Sequence, residues 1–322
     1  KSADNDIGEW EIVLKDSMEE FVGYSDYCVI TKISRIRTIS ENNKVLFHIV
    51  LDKTPFYAES GGQIGDTGFL LSQDLKIRII DTKKENNLIY HVVENIPDNI
   101  TLEYQAEIDV ERRKSISRNH SATHLLHAEL RNLLGDHVLQ KGSLVSDSHL
   151  RFDFSHTSSL SSDLVKKLEE NINRNIFQNI SLNEHKNLTI SEADKLGALM
   201  IFGEKYGDKV RMIQYGESKE LCGGTHVNST SEIGLIKILS ESSVATGIRR
   251  IEASTGLTAI DFLLSKSRLV DEVSYMFKNN NIISALNKLK EENRNLVNDH
   301  NRFQIESLKT LVHTLQNESK KL

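Results

Sequence analysis

The chain has 322 residues, of which 27% are charged and 38% are apolar, and its formal net charge is −6. This length leaves room for two or three domains, and no run of about 18 apolar residues is present to form a transmembrane helix. The net negative charge argues against a general nucleic-acid coat but allows local basic patches. The two cysteines, Cys28 and Cys222, cannot form a disulfide framework, so a reducing compartment is expected.

The first predicted domain, residues 1–110, is a small β-barrel preceded by a linker or helix remnant. Short segments rich in Val, Ile and Phe are separated by Asn, Asp and Gly, which predicts strands joined by turns. These segments are 27–38, 44–52, 75–81, 88–94 and 102–109. Several strands at this spacing favour a small barrel.

A glycine-rich loop interrupts these strands at residues 59–68. Its residues of interest are Gly61, Gly62, Gln63, Gly65 and Asp66. The glycines are expected to shape a turn beside a functional cleft. That expectation fails if the loop lies on the far side of the barrel.

The second predicted domain, residues 111–256, mixes helices and strands and is therefore of the α+β class. Apolar residues at helical spacing predict a helix over 115–134, which ends at Gly135. A second helix is predicted over 161–179, with Ser161 at its start. The predicted strands are 142–145, 149–154, 210–215, 233–240 and 247–253.

The third predicted segment, residues 257–322, contains no Pro and no Gly. Its apolar residues fall close to a 3-4 spacing, which predicts a helical hairpin or a coiled coil. Asn293 and His300 would lie on the seam, so a coil would be imperfect. The apolar spacing nevertheless predicts self-association through this segment.

Two short motifs about a hundred residues apart indicate a metal site. His120 and His124 lie one helical turn apart on one face, and Cys222 and His226 add a thiolate and a third imidazole. Three nitrogens and one sulfur suit tetrahedral Zn²⁺. The alternative is that these histidines are ordinary core residues, although His127 on the same face favours a functional cluster.

The ligand count leaves two kinds of zinc site open. Four protein ligands make a closed site, whereas three ligands and a water make a reactive one. The motif differs from the His-Glu-x-x-His of metalloproteases because position 121 is Ser, so the general-base Glu is absent.

Several motifs, in the same order along the chain, resemble the editing region of the alanyl-tRNA synthetase family. The resemblance spans roughly residues 20–256. The matching segments are ESGGQIGDTG (59–68), RNHSATH (118–124), QKGSLV (140–145), LRFDFSH (150–156), FGEKYGD (202–208), CGGTH (222–226) and GIRRIE (247–252).

The resemblance implies a fragment that contains the barrel, the editing domain and the start of a C-terminal helical region. The class II aminoacylation domain, with its ATP site, would lie outside this chain. The implied activity is hydrolysis of the 3′-aminoacyl ester of mischarged Ser-tRNA(Ala) or Gly-tRNA(Ala) in the cytoplasm. The implied zinc ligands are His120, His124, Cys222 and His226, with His127 as a neighbour.

The resemblance also implies roles around the zinc ion. Gln140, Thr123 and Thr225 are the expected catalytic or specificity residues, with Gln140 on the pocket wall. Alternatively, Gln140 is a surface amide before a turn. Zinc either activates water or positions the aminoacyl-adenosine end, and four matched ligands favour positioning.

Seven basic residues are candidate contacts for the phosphates of the tRNA acceptor end. They are Arg112, Arg113, Lys114, Arg118, Lys205, Arg249 and Arg250. The alternative for each one is a solvated charged face. Two other functions remain open: a stand-alone trans-editing deacylase, and a zinc-stabilised tRNA-binding or dimerisation module without chemistry.

Overall fold

The structure is a computed structural model that describes residues 6–41, 44–72, 75–97, 99–200, 207–278 and 281–319. The chain divides into two compact units, Lys1–Ile260 and Asp261–Leu322. The boundary predicted near residue 110 falls inside the first unit. None of the helices in the described ranges has the length and apolar character that a membrane span requires.

The elements of the described residues follow in chain order. The strands are β1 (Asp6–Ile7), β2 (Glu11–Ile12), β3 (Glu20–Phe21), β4 (Cys28–Glu41), β5 (Lys44–Leu51), β6 (Lys53–Thr54), β7 (Gly68–Ser72), β8 (Leu75–Glu85), β9 (Leu88–Val93), β10 (Glu103–Ile108), β11 (Gln140–Val145), β12 (Leu150–Ser155), β13 (Asn183–Leu188), β14 (Val210–Tyr215), β15 (Ser218–Leu221), β16 (Ile236–Ala245) and β17 (Ile248–Thr255). The helices are α1 (Val110–Leu134), α2 (Ser162–Phe177), α3 (Ile190–Lys195), α4 (Gly256–Phe277) and α5 (Ile282–Ser319).

The predicted barrel is confirmed. Six strands pair in the order β4-β10-β7-β8-β9-β5, and β5 pairs back onto β4 to close the ring. Its interior is apolar and includes Ile33, Leu51, Phe56, Leu70 and Ile79. Strand β7 was not predicted, because its five residues directly follow the glycine-rich loop.

The second half of the first unit is built around α1. This helix begins at Val110, five residues before the predicted start, because the Asp109 side chain accepts a hydrogen bond from the backbone N–H of Arg112 and caps it. It ends where predicted, with Gly135 as the C-cap. Side chains of α1, α2 and the sheet β11-β12-β17-β16 form one apolar core, with Leu126, Phe152 and Ile172 fully buried.

A three-stranded sheet, β13-β14-β15, completes this half. Only β14 was predicted from the sequence. Strand β13 has the sequence NEHKNL and β15 the sequence SKEL, so neither has enough apolar residues to indicate a strand. The omission matters, because β15 leads directly into the Cys-Gly-Gly-Thr-His segment.

The predicted helical character of residues 257–322 is confirmed by α4 and α5. Helix α5 exposes apolar side chains along its length, including Leu289, Leu296 and Leu308. Self-association through this segment stays a prediction.

Candidate metal centre and its cavity

Helix α1 and the loop after β15 bring four candidate metal ligands together. His120 and His124 come from the helix, and Cys222 and His226 come from the loop. One ligand atom from each residue lies within 4.8 Å of the other three. The Cys222 Sγ is 3.3 Å from the Nε2 of His120 and 3.3 Å from the Nε2 of His226. The structure thus assembles the set that the sequence motifs indicated.

Each of the three imidazoles has its Nδ1 atom engaged by a neighbour outside this set. The His120 Nδ1 is 2.7 Å from Gln63 Oε1, the His124 Nδ1 is 2.7 Å from Glu220 Oε2, and the His226 Nδ1 is 3.2 Å from Ser121 Oγ. Nε2 is therefore the atom left to face the centre. The His124 Nε2 is buried and has no hydrogen-bond partner among the described residues. An outer partner on one nitrogen and a free second nitrogen are typical of a metal-binding histidine.

The electrostatics of the cluster favour the metal-binding protonation state at Cys222 and His226 but not at His124. At His124, burial opposes protonation, but Glu220 and Cys222 outweigh it and raise the pKa to about 10. Burial lowers the pKa of His226 to about 3, which keeps this imidazole neutral. Burial opposes ionisation of Cys222, but His120 and His226 outweigh it and hold the thiol pKa well below its usual value. Neutral imidazole and thiolate are the forms that coordinate a metal.

The two glycines between Cys222 and His226 act differently from each other. Neither is among the glycines of positive φ, so a left-handed turn does not explain them. A Cβ added to Gly224 would lie 2.0 Å from His120 Cε1 and 2.8 Å from Gln63 Oε1. A Cβ on Gly223 would meet only the Tyr24 hydroxyl, at 4.0 Å. Gly224 is thus needed for the close approach of the loop to His120.

The loop is held by hydrogen bonds to its backbone carbonyls. Arg211 Nη1 donates to the carbonyl of Cys222 at 3.0 Å and to that of Gly224 at 2.7 Å. The Tyr24 hydroxyl donates to the carbonyl of Gly223 at 2.6 Å, and the Arg211 guanidinium stacks over the Tyr24 ring at 4.3 Å. Because Tyr24 precedes the barrel strands, both halves of the first unit fix the loop.

The glycine-rich loop also reaches the cluster, in agreement with its predicted place beside the cleft. Gln63 is fully buried. Besides contacting His120, its Oε1 accepts from the backbone N–H of Thr225 at 2.9 Å, and its Nε2 donates to Thr225 Oγ1 at 3.0 Å. Gly62 has a φ of 81°, and a Cβ there would lie 2.5 Å from the Ser143 carbonyl oxygen. Gly61 lines the cavity described next.

A cavity of about 490 Å³ opens beside the cluster. His120, His124 and Cys222 form part of its wall, and Gln140 and Thr123 lie in the same wall. The remaining lining includes Tyr57, Ser60, Lys84, Ser143 and Lys209. Within the described part of the chain, the Gln140 amide has no hydrogen-bond partner, so it is available to a ligand.

Thr225, an expected catalytic or specificity residue, lies on the buried side of the loop, and its predicted role stays a prediction. It is buried and is not one of the residues that line this cavity. Its hydroxyl accepts from Gln63 Nε2 at 3.0 Å and from Ser117 Oγ at 2.9 Å. The structure therefore makes Thr225 a residue that holds the loop.

Comparisons with known proteins match this architecture. The model of the family described as "tRNA synthetases class II (A)" matches residues 4–113. The model of "Threonyl and Alanyl tRNA synthetase second additional domain" matches residues 210–252, which include the Cys222–His226 loop. The chain belongs to the alanyl-tRNA synthetase family.

Curated alanine–tRNA ligases are similar along nearly the whole chain. The Parabacteroides distasonis ligase is 48% identical over 89% of the chain and 33% of its own length. The Cytophaga hutchinsonii ligase is 46% identical over 100% of the chain and 37% of its own length. The Flavobacterium psychrophilum ligase is 45% identical over 96% of the chain and 36% of its own length. The chain thus spans about a third of the length of these relatives.

The predicted role of Arg113 in this family member is wrong. Its side chain is 2% exposed and forms an ion pair with the equally buried Asp66. It also donates to the backbone carbonyls of Gly23, at 2.6 Å, and Pro55, at 2.9 Å. A guanidinium with these partners cannot reach a tRNA phosphate, so Arg113 joins α1 to the barrel instead. Asp66 of the glycine-rich loop is its counter-ion.

The other predicted basic contacts also have intramolecular partners. Arg112 donates to the Gly65 carbonyl at 2.8 Å, and Arg118 to the Glu232 carbonyl at 3.1 Å. The remaining pairs are Arg249 with Glu241, Arg250 with Asp153, and the exposed Lys114 with Glu111. Lys205 lies outside the described residues. Phosphate contacts by these side chains stay predictions.

The residues around the centre that sequence reasoning missed include Glu220, Lys84 and Lys209. Glu220 precedes Cys222 by two positions, but β15 ends at Leu221 and Cys222 lies in the loop that follows, so strand alternation does not relate the two side chains. Strand β15 itself was not predicted. Lys84 and Lys209 carried no signal, because they come together only in the folded cavity.

Proposed function

We propose that this chain is the editing part of an alanine–tRNA ligase and hydrolyses the ester of mischarged Ser-tRNA(Ala) or Gly-tRNA(Ala). The observation that carries the proposal is the group of three histidines and one cysteine in the wall of a cavity, in a member of this family. The whole protein would also attach alanine to tRNA(Ala) with ATP, through a class II domain outside this chain.

The residues present fit a zinc ion. Three imidazole nitrogens and one thiolate match the ligand types that Zn²⁺ prefers, and the unpartnered His124 Nε2 is a buried atom that a metal would satisfy. His120, His124, Cys222 and His226 would hold the ion. When bound, it would supply a positive charge that anchors the polar groups of the aminoacyl ester.

Discrimination between the serine and alanine esters is assigned to the cavity wall. An apolar pocket separates amino acids that differ by one methylene by only about 10–200-fold, so a second, hydrolytic site is a known remedy. A wall that hydrogen-bonds a hydroxyl would favour the seryl ester. The unpartnered amide of Gln140 is the candidate donor or acceptor, and Thr123 lines the same cavity.

The terminal phosphates of the acceptor end are assigned to lysines of the cavity. Lys84 and Lys209 are exposed, line the cavity, and form no ion pair with the residues the structure describes. A lysine with no internal partner keeps its charge for a phosphate. Lys84 is contributed by the barrel, so we expect the acceptor end to contact both halves of the first unit.

Two alternatives are less well supported. A stand-alone trans-editing deacylase would share the chemistry, but the similarity to alanine–tRNA ligases continues through the C-terminal helices. A non-catalytic tRNA-binding module would leave the free Gln140 amide unexplained.

A deacylation assay with metal analysis on the same sample tests the proposal. Purified chain is incubated with Ser-tRNA(Ala), Gly-tRNA(Ala) and Ala-tRNA(Ala), and its zinc content is measured. We expect loss of the seryl and glycyl esters, little loss of the alanyl ester, and no activity in Cys222→Ala. Binding of tRNA without turnover would support the non-catalytic module instead.

A further inference from the structure

One carboxylate lies directly behind the candidate metal ligands. Glu220 of β15 is 5% exposed. Its two oxygens contact two different histidines of α1: Oε2 lies 2.7 Å from His124 Nδ1, and Oε1 lies 2.8 Å from His127 Nδ1. His127 is not one of the four candidate ligands.

This arrangement fixes the tautomer of both imidazoles. An ionised carboxylate only accepts hydrogen bonds, so each Nδ1 must carry a proton and donate it. In a neutral imidazole, the lone pair then lies on Nε2. For His124 this is the buried atom with no partner among the described residues, and it faces Cys222 and His226.

The three outer contacts differ in strength. His120 is held by the neutral amide of Gln63 at 2.7 Å and His226 by the Ser121 hydroxyl at 3.2 Å. Among these three contacts, the one from Glu220 alone carries a charge, and charge-assisted hydrogen bonds are roughly twice as strong as neutral ones. The orientation of His124 should therefore depend most on its outer partner.

The charge balance gives Glu220 a second effect. A divalent cation bound by one thiolate and three neutral imidazoles keeps one net positive charge. A buried positive charge is costly unless an opposite charge lies near it. The Glu220 carboxylate, one hydrogen bond behind His124, supplies that opposite charge.

We propose that Glu220 is a positioning residue of the metal centre, which holds His124 in its metal-binding tautomer and orientation, while His127 holds Glu220 in place. This inference rests on the zinc centre of the proposed function. It does not require that the chain hydrolyses an ester.

The test compares zinc affinity in Glu220→Gln with that in the wild-type chain, by competition with a chromogenic chelator. Loss of an outer partner of a metal-binding histidine should weaken zinc binding by about 10–100-fold. The cobalt-loaded variant should also show a shifted d–d spectrum, which a purely structural role would not change. Equal zinc affinity and an unchanged cobalt spectrum would overturn the proposal.

Glu129→Gln is the matched control. Glu129 is also a buried carboxylate, 7% exposed, and its oxygens accept from the side-chain amides of Asn171 and Asn132. It contacts none of the four ligands. We expect its zinc affinity to stay within about twofold of wild type, so an equal loss in both variants would contradict a specific role for Glu220.

A second variant covers the case in which Glu220→Gln does not fold. His127→Gln removes the outer support of Glu220 and leaves the bond to His124. It should weaken zinc binding by less than loss of a direct outer partner does, roughly three- to tenfold. Wild-type affinity in a folded His127→Gln would count against the proposal.

The outcomes separate this inference from the proposed function. If the wild-type chain binds zinc more tightly than Glu220→Gln does but leaves Ser-tRNA(Ala) intact, the hydrolase proposal is contradicted and the positioning role of Glu220 is supported. If the wild-type chain hydrolyses Ser-tRNA(Ala) and Glu220→Gln binds zinc as tightly as the wild type, the hydrolase proposal is supported and the positioning role of Glu220 is contradicted. A wild-type chain that binds no zinc would overturn the role of Glu220.

Discussion

The barrel and the half of the first unit that holds the candidate metal centre, from α1 to β17, both bury histidines, but the ring nitrogens have different partners in the two regions. In the barrel, His91 is fully buried and both of its nitrogens are paired. Its Nδ1 lies 3.1 Å from the Ile49 carbonyl oxygen, and its Nε2 lies 2.8 Å from Thr54 Oγ1. His91 is thus a satisfied core residue with no capacity left for a ligand.

The three histidines among the candidate ligands differ from His91 in what their second ring nitrogen faces. His120, His124 and His226 each pair Nδ1 with an outer neighbour and turn Nε2 toward Cys222. His127 shows that an unpaired nitrogen is not sufficient, because its Nε2 is also buried and unpartnered while it lies outside the ligand set. What identifies a ligand is convergence of several such atoms.

The junction between the two regions offers the largest expected effect. Removing one partner of a buried ion pair costs about 3–5 kcal/mol, so Arg113→Met should destabilise the first unit by about that amount. Urea unfolding followed by the fluorescence of Trp10, the one tryptophan of the chain, measures the change.

The neighbouring lysine is the control for this variant. Lys114 is exposed and paired only with Glu111 on the same helix, so Lys114→Met should change the unfolding free energy by less than about 0.5 kcal/mol. If Arg113→Met kept full stability and lost only tRNA affinity, Arg113 would return to a phosphate-binding role.

Protonation of His91 in the barrel should change the free energy of unfolding as a function of pH. Burial lowers the pKa of His91 to about 4, whereas an unfolded chain titrates near 6.5. The unfolded state therefore takes up the proton first as the pH falls. Stability from this group is complete above pH 6.5 and is lost as the pH approaches 4, by roughly 3 kcal/mol.

His91→Gln removes this titration. Its unfolding free energy should be lower at pH 7 and should fall less steeply than that of the wild type between pH 6.5 and 4. Both proteins are measured in EDTA, so that protonation of the metal ligands against bound metal does not enter. Parallel curves for the two proteins would show that His91 is not the group that titrates.

The sequence predicted the parts of the site that lie close together along the chain. The spacing of His120 and His124 on a helix and of Cys222 and His226 in a glycine-containing loop indicated the ligands. The β-branched runs predicted the barrel strands, and the Gly135 cap predicted the end of α1. Each of these signals arises within one element and needs no knowledge of its neighbours.

The sequence did not predict the contacts that join distant segments. Gln63 lies 57 positions from His120, and Glu220 lies 96 positions from His124. Arg113 and Lys114 are adjacent bases with the same sequence signal, yet the first is buried and the second exposed. Which of the two turns inward depends on the position of Asp66, and only folding determines that.

The loop that carries Cys222 can be tested with its own two glycines. Because a Cβ at position 224 would collide with the His120 ring, Gly224→Ala should displace a ligand and weaken zinc binding on the order of 100-fold. Gly223→Ala has open space around its Cβ and should bind zinc almost as wild type does. Zinc content after gel filtration distinguishes the two variants. Equal retention in both would mean that the His120 ring moves aside without cost.

The smallest expected effect concerns Lys84, the barrel lysine that lines the cavity. If Lys84 contacts a phosphate of the single-stranded acceptor end, Lys84→Ala should lower kcat/KM for Ser-tRNA(Ala) by about fivefold, equivalent to roughly 1 kcal/mol. The slope of log kcat/KM against log salt concentration should also become shallower by about 0.7, because one fewer counterion is released. Lys83 is the matched control, since it is adjacent but pairs with Asp81 at 3.4 Å. If Lys83→Ala and Lys84→Ala lowered kcat/KM equally, the effect would come from the general field of the barrel, and Lys84 would have no specific phosphate contact.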